Sequence, residues 1–188
     1  MEFDIDPAHG WIFGARRVYS PNFDQRPAGC GLDLIVIHGI SLPPGKFGGP
    51  WIDDLFRNAL DIDAHAYFRE IHALRVSSHV LIRRDGSVTQ YVPFAARAWH
   101  AGESEHCGRR ACNDFAVGIE LEGTDDTPYE PAQYTALAAL VVALRRAYPS
   151  LLNADIVGHS DIAPGRKTDP GPLFDWKRFE SALSSSAA

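Results

Sequence analysis

LDLIVIHG, Leu32 to Gly39, is the stretch on which the fold turns: an apolar, β-branched run of strand length, stopped by glycine. A run of this kind belongs to a strand buried on both faces, the habit of parallel strands inside an α/β sheet. His38 therefore stands at the C-terminal end of a core strand. Ligand sites in open α/β sheets lie where strands end and loops begin, so an imidazole there is aimed from a rigid base. The plainer alternative is a core histidine bonded to a neighbouring carbonyl. Beyond Gly39 the chain enters SLPPGKFGGP (Ser41 to Pro50), whose prolines and glycines fix its turns and suit one wall of a cleft.

The remaining elements follow from pattern. Trp51–Asn58 and His65–Leu74 read as helices, the second with Phe68, Ile71 and Leu74 on one face. Val76–Arg83 and Ser87–Val92 form a hairpin about Asp85-Gly86, with His79 inside the first arm as a structural residue. FAVGIELEG (Phe115 to Gly123) is a further strand, with Val117, Ile119 and Leu121 on one face and Gly118, Glu120 and Glu122 on the other. Pro131–Tyr148 is the strongest helix: proline suits its first turn, and Tyr134, Leu137, Val141, Leu144 and Tyr148 recur at helical spacing. Ile156–His159 leads into a loop, and Phe174–Leu183 is a short closing helix. Residues 1–15 read as an irregular lead-in anchored at Trp11, Ile12 and Phe13, and 184–188 as a frayed tail. The expectation is one α/β domain over 1–188.

Chemistry concentrates in GHSDIAPGRKTDPG, Gly158 to Gly171, where His159, Asp161, Lys167 and Asp169 sit on a backbone set by two prolines and three glycines. A neutral imidazole and a carboxylate can both ligate a divalent metal such as zinc, with Lys167 bringing a cation beside the site. On spacing alone ordinary capping of loop backbone is the better reading, because His-x9-Asp is no generic metal signature. Glu120 and Glu122 raise a second question, because an unpaired buried carboxylate costs several kcal/mol, roughly, unless protonated or paired. A metal-activated water or a lysine would answer it; a solvent-facing edge strand would remove it. RAWHAGESEHCGRRACNDF (Arg97 to Phe115) has no period. Trp99 in it is either an apolar platform for a sugar or peptide or a clamp for the loop.

Composition excludes several classes. With 18 Lys and Arg against 24 Asp and Glu, the net charge of -6 argues against a nucleic-acid binder that works by phosphate neutralisation. The apolar run Ala136–Leu144 is half of what a membrane span needs, and the acidic MEFDIDPAHG has no secretory pattern, so a soluble, intracellular protein is expected, and a monomer, since no heptad or exposed apolar stripe stands out. Cys30, Cys107 and Cys112 read as free thiols, since a zinc cluster built on His106, Cys107 and Cys112 lacks a fourth ligand.

The blocks HGISLPPGKFGGPWID, SSHVLIRRDGSVTQYVPF, RAWHAG, CNDFAVGIELEGTD and GHSDIAPGRKTDPGPLFDW, in this order, resemble the zinc-dependent N-acetylmuramoyl-L-alanine amidases, from about Arg16 to Phe179. The resemblance is to their recycling branch, which acts in the cytoplasm on 1,6-anhydro-N-acetylmuramyl peptides. It implies a central mixed β-sheet flanked by helices, as in peptidoglycan recognition proteins. It implies that His38, His159 and Asp169 bind Zn2+ and that Glu120, as general base, and Lys167 act on the substrate; Glu122, on the same strand face two residues on, competes for the base on the residues alone. Arg75, Trp99 and Arg109 are the candidates for substrate contact. Gly39 departs from the family, where a polar residue often follows the first ligand. A muropeptide-binding module without activity, and an amidase of intact peptidoglycan, are the alternatives.

Overall fold

The computed structural model describes residues 1–186 and centres on a six-stranded mixed sheet. Its strands are β1 (Arg16–Arg17), β2 (Leu34–Ile40), β3 (Val80–Ile82), β4 (Val88–Gln90), β5 (Ala116–Glu122) and β6 (Asp155–Gly158), in the spatial order β6-β2-β5-β3-β4-β1. β6, β2, β5 and β3 run parallel, while β3 and β4 form the antiparallel hairpin anticipated about Asp85-Gly86. LIVIHGI is thus an inner strand, which explains its apolar character.

The two faces of the sheet are covered differently. Ile35, Ile37, Val117, Ile119 and Leu121 pack with Leu137, Leu140, Val141 and Leu144 of the long helix Pro131–Ala147 and with Phe174 and Phe179 near the C-terminus. Each such side chain contributes about 1.5–3 kcal/mol by leaving water. The long helix is also stitched to the sheet: buried Gln133 accepts from Glu130 N–H at 3.0 Å and donates to the carbonyls of Ile82 and Glu122. Leu34 and Val36 face the other way, toward Ala101, Cys112, Phe115 and Ile162. His38, next on that face, inherits a buried position.

Several expectations need correction. The helix read over His65–Leu74 is only Phe68–Ile71, because Leu74 is 47% exposed and a helix without a buried stripe does not propagate. The lead-in 1–15 carries an antiparallel ribbon, Ile5–Asp6 with Trp11–Ile12, anchored by buried Ile5 and Ile12 while Phe13 is exposed. The closing helix runs Trp176–Ser186, and the last two positions of the expected tail, 187–188, lie outside the described residues. Among the described residues no helix is long and apolar enough to cross a membrane.

Candidate active site

The parallel register brings the chemistry together. Glu120 of β5 pairs with His38 of β2, so both side chains leave one face of the sheet at its C-terminal end. β6 runs parallel on the other side of β2 and ends at Gly158, delivering His159 at the start of a four-residue helical turn, His159–Ile162. Gly158 has to be small there: a Cβ would lie 2.8 Å from Pro170 Cδ. The loop back to Asp169 is pinned by Ser160 N–H on the Asp169 carbonyl at 3.0 Å.

Three donor atoms then converge. His38 Nδ1 and His159 Nδ1 are 3.0 Å apart, and Asp169 Oδ2 lies 3.1 Å from His159 Nδ1 and 3.3 Å from His38 Nδ1. Tetrahedral zinc with ligand bonds near 2.0–2.1 Å has ligand-to-ligand edges of about 3.3 Å, so the triangle fits such an ion. His159 donates Nε2–H to the Ala101 carbonyl at 3.1 Å, which leaves its Nδ1 lone pair facing the centre. Burial pushes His38 down to about 4, keeping it neutral. The Asp169 carboxyl, which burial alone would raise, is held well below the carboxylate range by the His159 and His38 rings beside it.

Glu120 is 9% exposed and its Oε2 has no partner among the described residues. Burial first, and then the Asp169 charge, raise its carboxyl well above the usual range, with Lys167 opposing. Glu122 is engaged elsewhere: it accepts from Gly48 N–H at 2.7 Å and from Arg83 at 2.9 Å. β5 is a central strand, so the exposed-edge explanation for the two acids fails, and the acids divide into one orphaned and one ion-paired.

A cavity of about 280 Å³ unites Glu120, His159, Lys167 and Asp169, walled by Leu42, Leu55, Phe56, Leu74 and Trp99. A larger hollow of about 650 Å³, beyond the loop Ser41–Pro50, is lined by Arg16, Asp53, Arg83 and Glu122. Its arginines are ion-paired and it carries no metal donor set, so the smaller cavity holds the chemistry. Trp99 lies on that cavity's wall. Arg75, between the wall residues Leu74 and Val76, is exposed and bonds the carbonyls of His72 and Leu74. Arg109 is placed away from the cavity, paired with Asp33 and stacked 3.8 Å over the Phe115 ring. Gly39 lines the cavity, and a Cβ there would collide with the Tyr129 hydroxyl, which donates to the Pro170 carbonyl at 2.9 Å. The thiols are unpaired; Cys112 is buried, while Cys107 lies beside His106 and Asp155 at the surface.

Sequence reading passed over His100, whose Nδ1 lies 2.9 Å from His38 Nε2. A lone histidine in an aperiodic loop carries no pattern; only the folded neighbourhood reveals it.

Buried neutral imidazoles make the metal-free fold acid-sensitive. Burial lowers His38 to about 4, His79 to about 3 and His100 well below 6.5, so the unfolded chain binds protons near pH 6.5 that the native state refuses. Stability contributed by these groups is lost as pH falls through that window. Glu120 works oppositely, since its native carboxyl keeps a proton that the unfolded chain releases. Three histidines against one acid leave more protons on the unfolded chain than on the native one, so stability rises with pH between about pH 4.5 and 6. Denaturant unfolding of the metal-free protein at those two pH values should show the higher midpoint at pH 6; equal midpoints would contradict the burial.

A histidine pair and a carboxylate at the ends of parallel strands, with a buried acid and a lysine in the same cavity, define a hydrolase with the donor set for a divalent metal. The chain belongs to the N-acetylmuramoyl-L-alanine amidase family, whose model matches residues 28–172. It is 59% identical over 175 residues to the 1,6-anhydro-N-acetylmuramyl-L-alanine amidase AmpD of Escherichia coli K12, covering 93% of this chain and 95% of that protein. A crystal structure of a selenomethionine AmpD derivative superposes with a TM-score of 0.91 at 57% identity, covering 95% of this chain and 98% of that one. AmpDh3 of Pseudomonas aeruginosa, solved in complex with an anhydromuramic pentapeptide, matches with a TM-score of 0.58 at 29% identity, over 84% of this chain and 63% of its own.

Proposed function

We propose that the chain is a zinc-dependent amidase that cleaves the bond between the lactyl group of 1,6-anhydro-N-acetylmuramic acid and L-alanine in muropeptides, in cytoplasmic cell-wall recycling. The observation that carries this reading is the convergence of His38, His159 and Asp169 on one point, in the cavity that also holds Glu120 and Lys167. Two neutral imidazoles and one carboxylate would leave a bound Zn2+ centre with net charge +1. Zinc supplies Lewis acidity there, polarising the scissile carbonyl and acidifying a water molecule.

The protein's own groups do the rest. Glu120, ionised where a bound cation would offset the Asp169 charge that otherwise helps raise its carboxyl, takes a proton from the attacking water and returns it to the leaving alanine nitrogen, the acid-base duty one carboxylate can perform in sequence. Lys167 stabilises the charge that develops on the carbonyl oxygen. Trp99 and the apolar wall exclude water and seat the sugar and lactyl group. Lys167→Met should lower kcat by about 10²- to 10³-fold with zinc content unchanged, and unaltered turnover would remove the lysine from the mechanism.

Relative rates on 1,6-anhydro-N-acetylmuramyl tripeptide and on intact sacculi test the substrate. Preference for the anhydro-muropeptide supports the recycling reaction. Preference for sacculi would move the enzyme to the wall itself, and zinc binding without hydrolysis of either would make it a recognition module.

A further inference from the structure

We infer that His100 is a positioning residue of the metal centre: braced by Asn113 and accommodated by Gly118, it holds His38 in the tautomer and orientation that present Nδ1 to the ion. The inference rests on the metal reading of His38, His159 and Asp169.

The proton placement follows from geometry. His38 turns Nδ1 toward His159 and Asp169, so its proton sits on Nε2 and is donated to His100 Nδ1 at 2.9 Å. His100, accepting at Nδ1, carries its own proton on Nε2. That Nε2 is buried and has no hydrogen-bond partner among the described residues. A buried unpartnered N–H destabilises a fold, whereas an apolar ring of similar size would not. The space for the ring comes from Gly118 in the central strand β5, where a Cβ would lie 2.6 Å from His100 Nδ1 and Cδ2. Glycine inside a strand weakens it. Two unfavourable features thus coincide at one ring, and what that ring does is accept the proton of a metal ligand.

The segment carrying His100 backs both imidazoles. Trp99 N–H donates to Ser77 Oγ at 3.0 Å, and the amides of His100 and Ala101 share Asn113 Oδ1 at 3.1 and 2.8 Å. From this fixed backbone the His100 ring receives His38 Nε2–H and the Ala101 carbonyl receives His159 Nε2–H at 3.1 Å. Carboxylate acceptors in such positions raise the basicity of the ligand. Here both acceptors are neutral, so they orient the ligands without adding negative charge to the centre.

Zinc affinity by competition with a chromophoric chelator, together with the unfolding midpoint of the metal-free protein, tests this for wild type, His100→Phe and His100→Asn. Phe fills the space but accepts no proton; Asn puts an amide oxygen where Nδ1 lay. His100→Phe should weaken zinc binding by about 10- to 100-fold, with a metal-free midpoint equal to or above that of wild type. His100→Asn should hold zinc within the same order of magnitude as wild type. Wild-type affinity in His100→Phe overturns the inference while leaving the metal reading intact. Equal loss of affinity in both variants, with both metal-free folds destabilised, overturns it in favour of plain packing. A wild-type protein that binds no zinc overturns the metal reading itself.

Discussion

Glu120→Gln lowers kcat by about 10²- to 10⁴-fold, the range that general acid-base catalysis supplies, while zinc content and the unfolding midpoint stay near those of wild type or rise slightly. The amide keeps the shape of the carboxylate and removes only its capacity to take and return a proton. Fold stability should not fall, because Glu120 Oε2 has no partner to lose among the described residues and burial already penalises its charge. Glu122→Gln is the informative control. Glu122 is 2% exposed and ion-paired with the half-buried Arg83, which also faces Asp53 at 3.6 Å, so its substitution loses a charge-assisted bond and costs about 1–3 kcal/mol of stability, with kcat of the folded enzyme unchanged. Steady-state kinetics and thermal unfolding of the two variants decide the matter. Turnover near wild type in Glu120→Gln, or catalytic loss in Glu122→Gln without loss of stability, would transfer the base from one residue to the other.

The two glutamates also show where sequence reading stops. The alternation in FAVGIELEG places both acids on one face, and nothing local separates them. Separation comes from what each meets across space: Glu120 lies level with His38 in the parallel register, while Glu122, two residues on, meets Arg83 and the Gly48 amide. The apolar run Leu32–Gly39 and the stripe of Pro131–Tyr148 were legible because burial imposes a period that any reader can see. His65–Leu74 was misjudged because the same apolar spacing serves a cavity wall as well as a core, and Leu74 belongs to the wall. Arg109 lay in a loop that looked suited to substrate, yet Asp33 and Phe115 hold it elsewhere. His100 had no periodicity to betray it; its meaning depends on a glycine eighteen positions later, on a different element.

Removing the metal should abolish hydrolysis and also loosen the fold, and the two losses have different causes. Catalysis fails because a neutral amide carbonyl is too poor an electrophile for Glu120 and Lys167 alone, and a Lewis acid contributes several kcal/mol of charge stabilisation. Stability falls because the donors are arranged for a cation. With His159 Nε2–H on the Ala101 carbonyl and His38 Nε2–H on His100, both Nδ1 lone pairs point at each other across 3.0 Å, with the Asp169 carboxylate beside them. Such a triangle is repulsive when empty of positive charge and attractive around it. Mass action adds about 2.7 kcal/mol of stability when free zinc stands at 100 times its dissociation constant. Dialysis against a chelator should therefore bring turnover to background and lower the unfolding midpoint, and stoichiometric Zn2+ should restore both. Asp169→Ala should be refractory to that rescue at the same zinc concentration, since two imidazoles lacking the carboxylate hold zinc more weakly and leave it with a different charge. Full turnover in protein shown by atomic absorption to be free of metal would dismantle the assignment of all three ligands, whatever the fate of the fold.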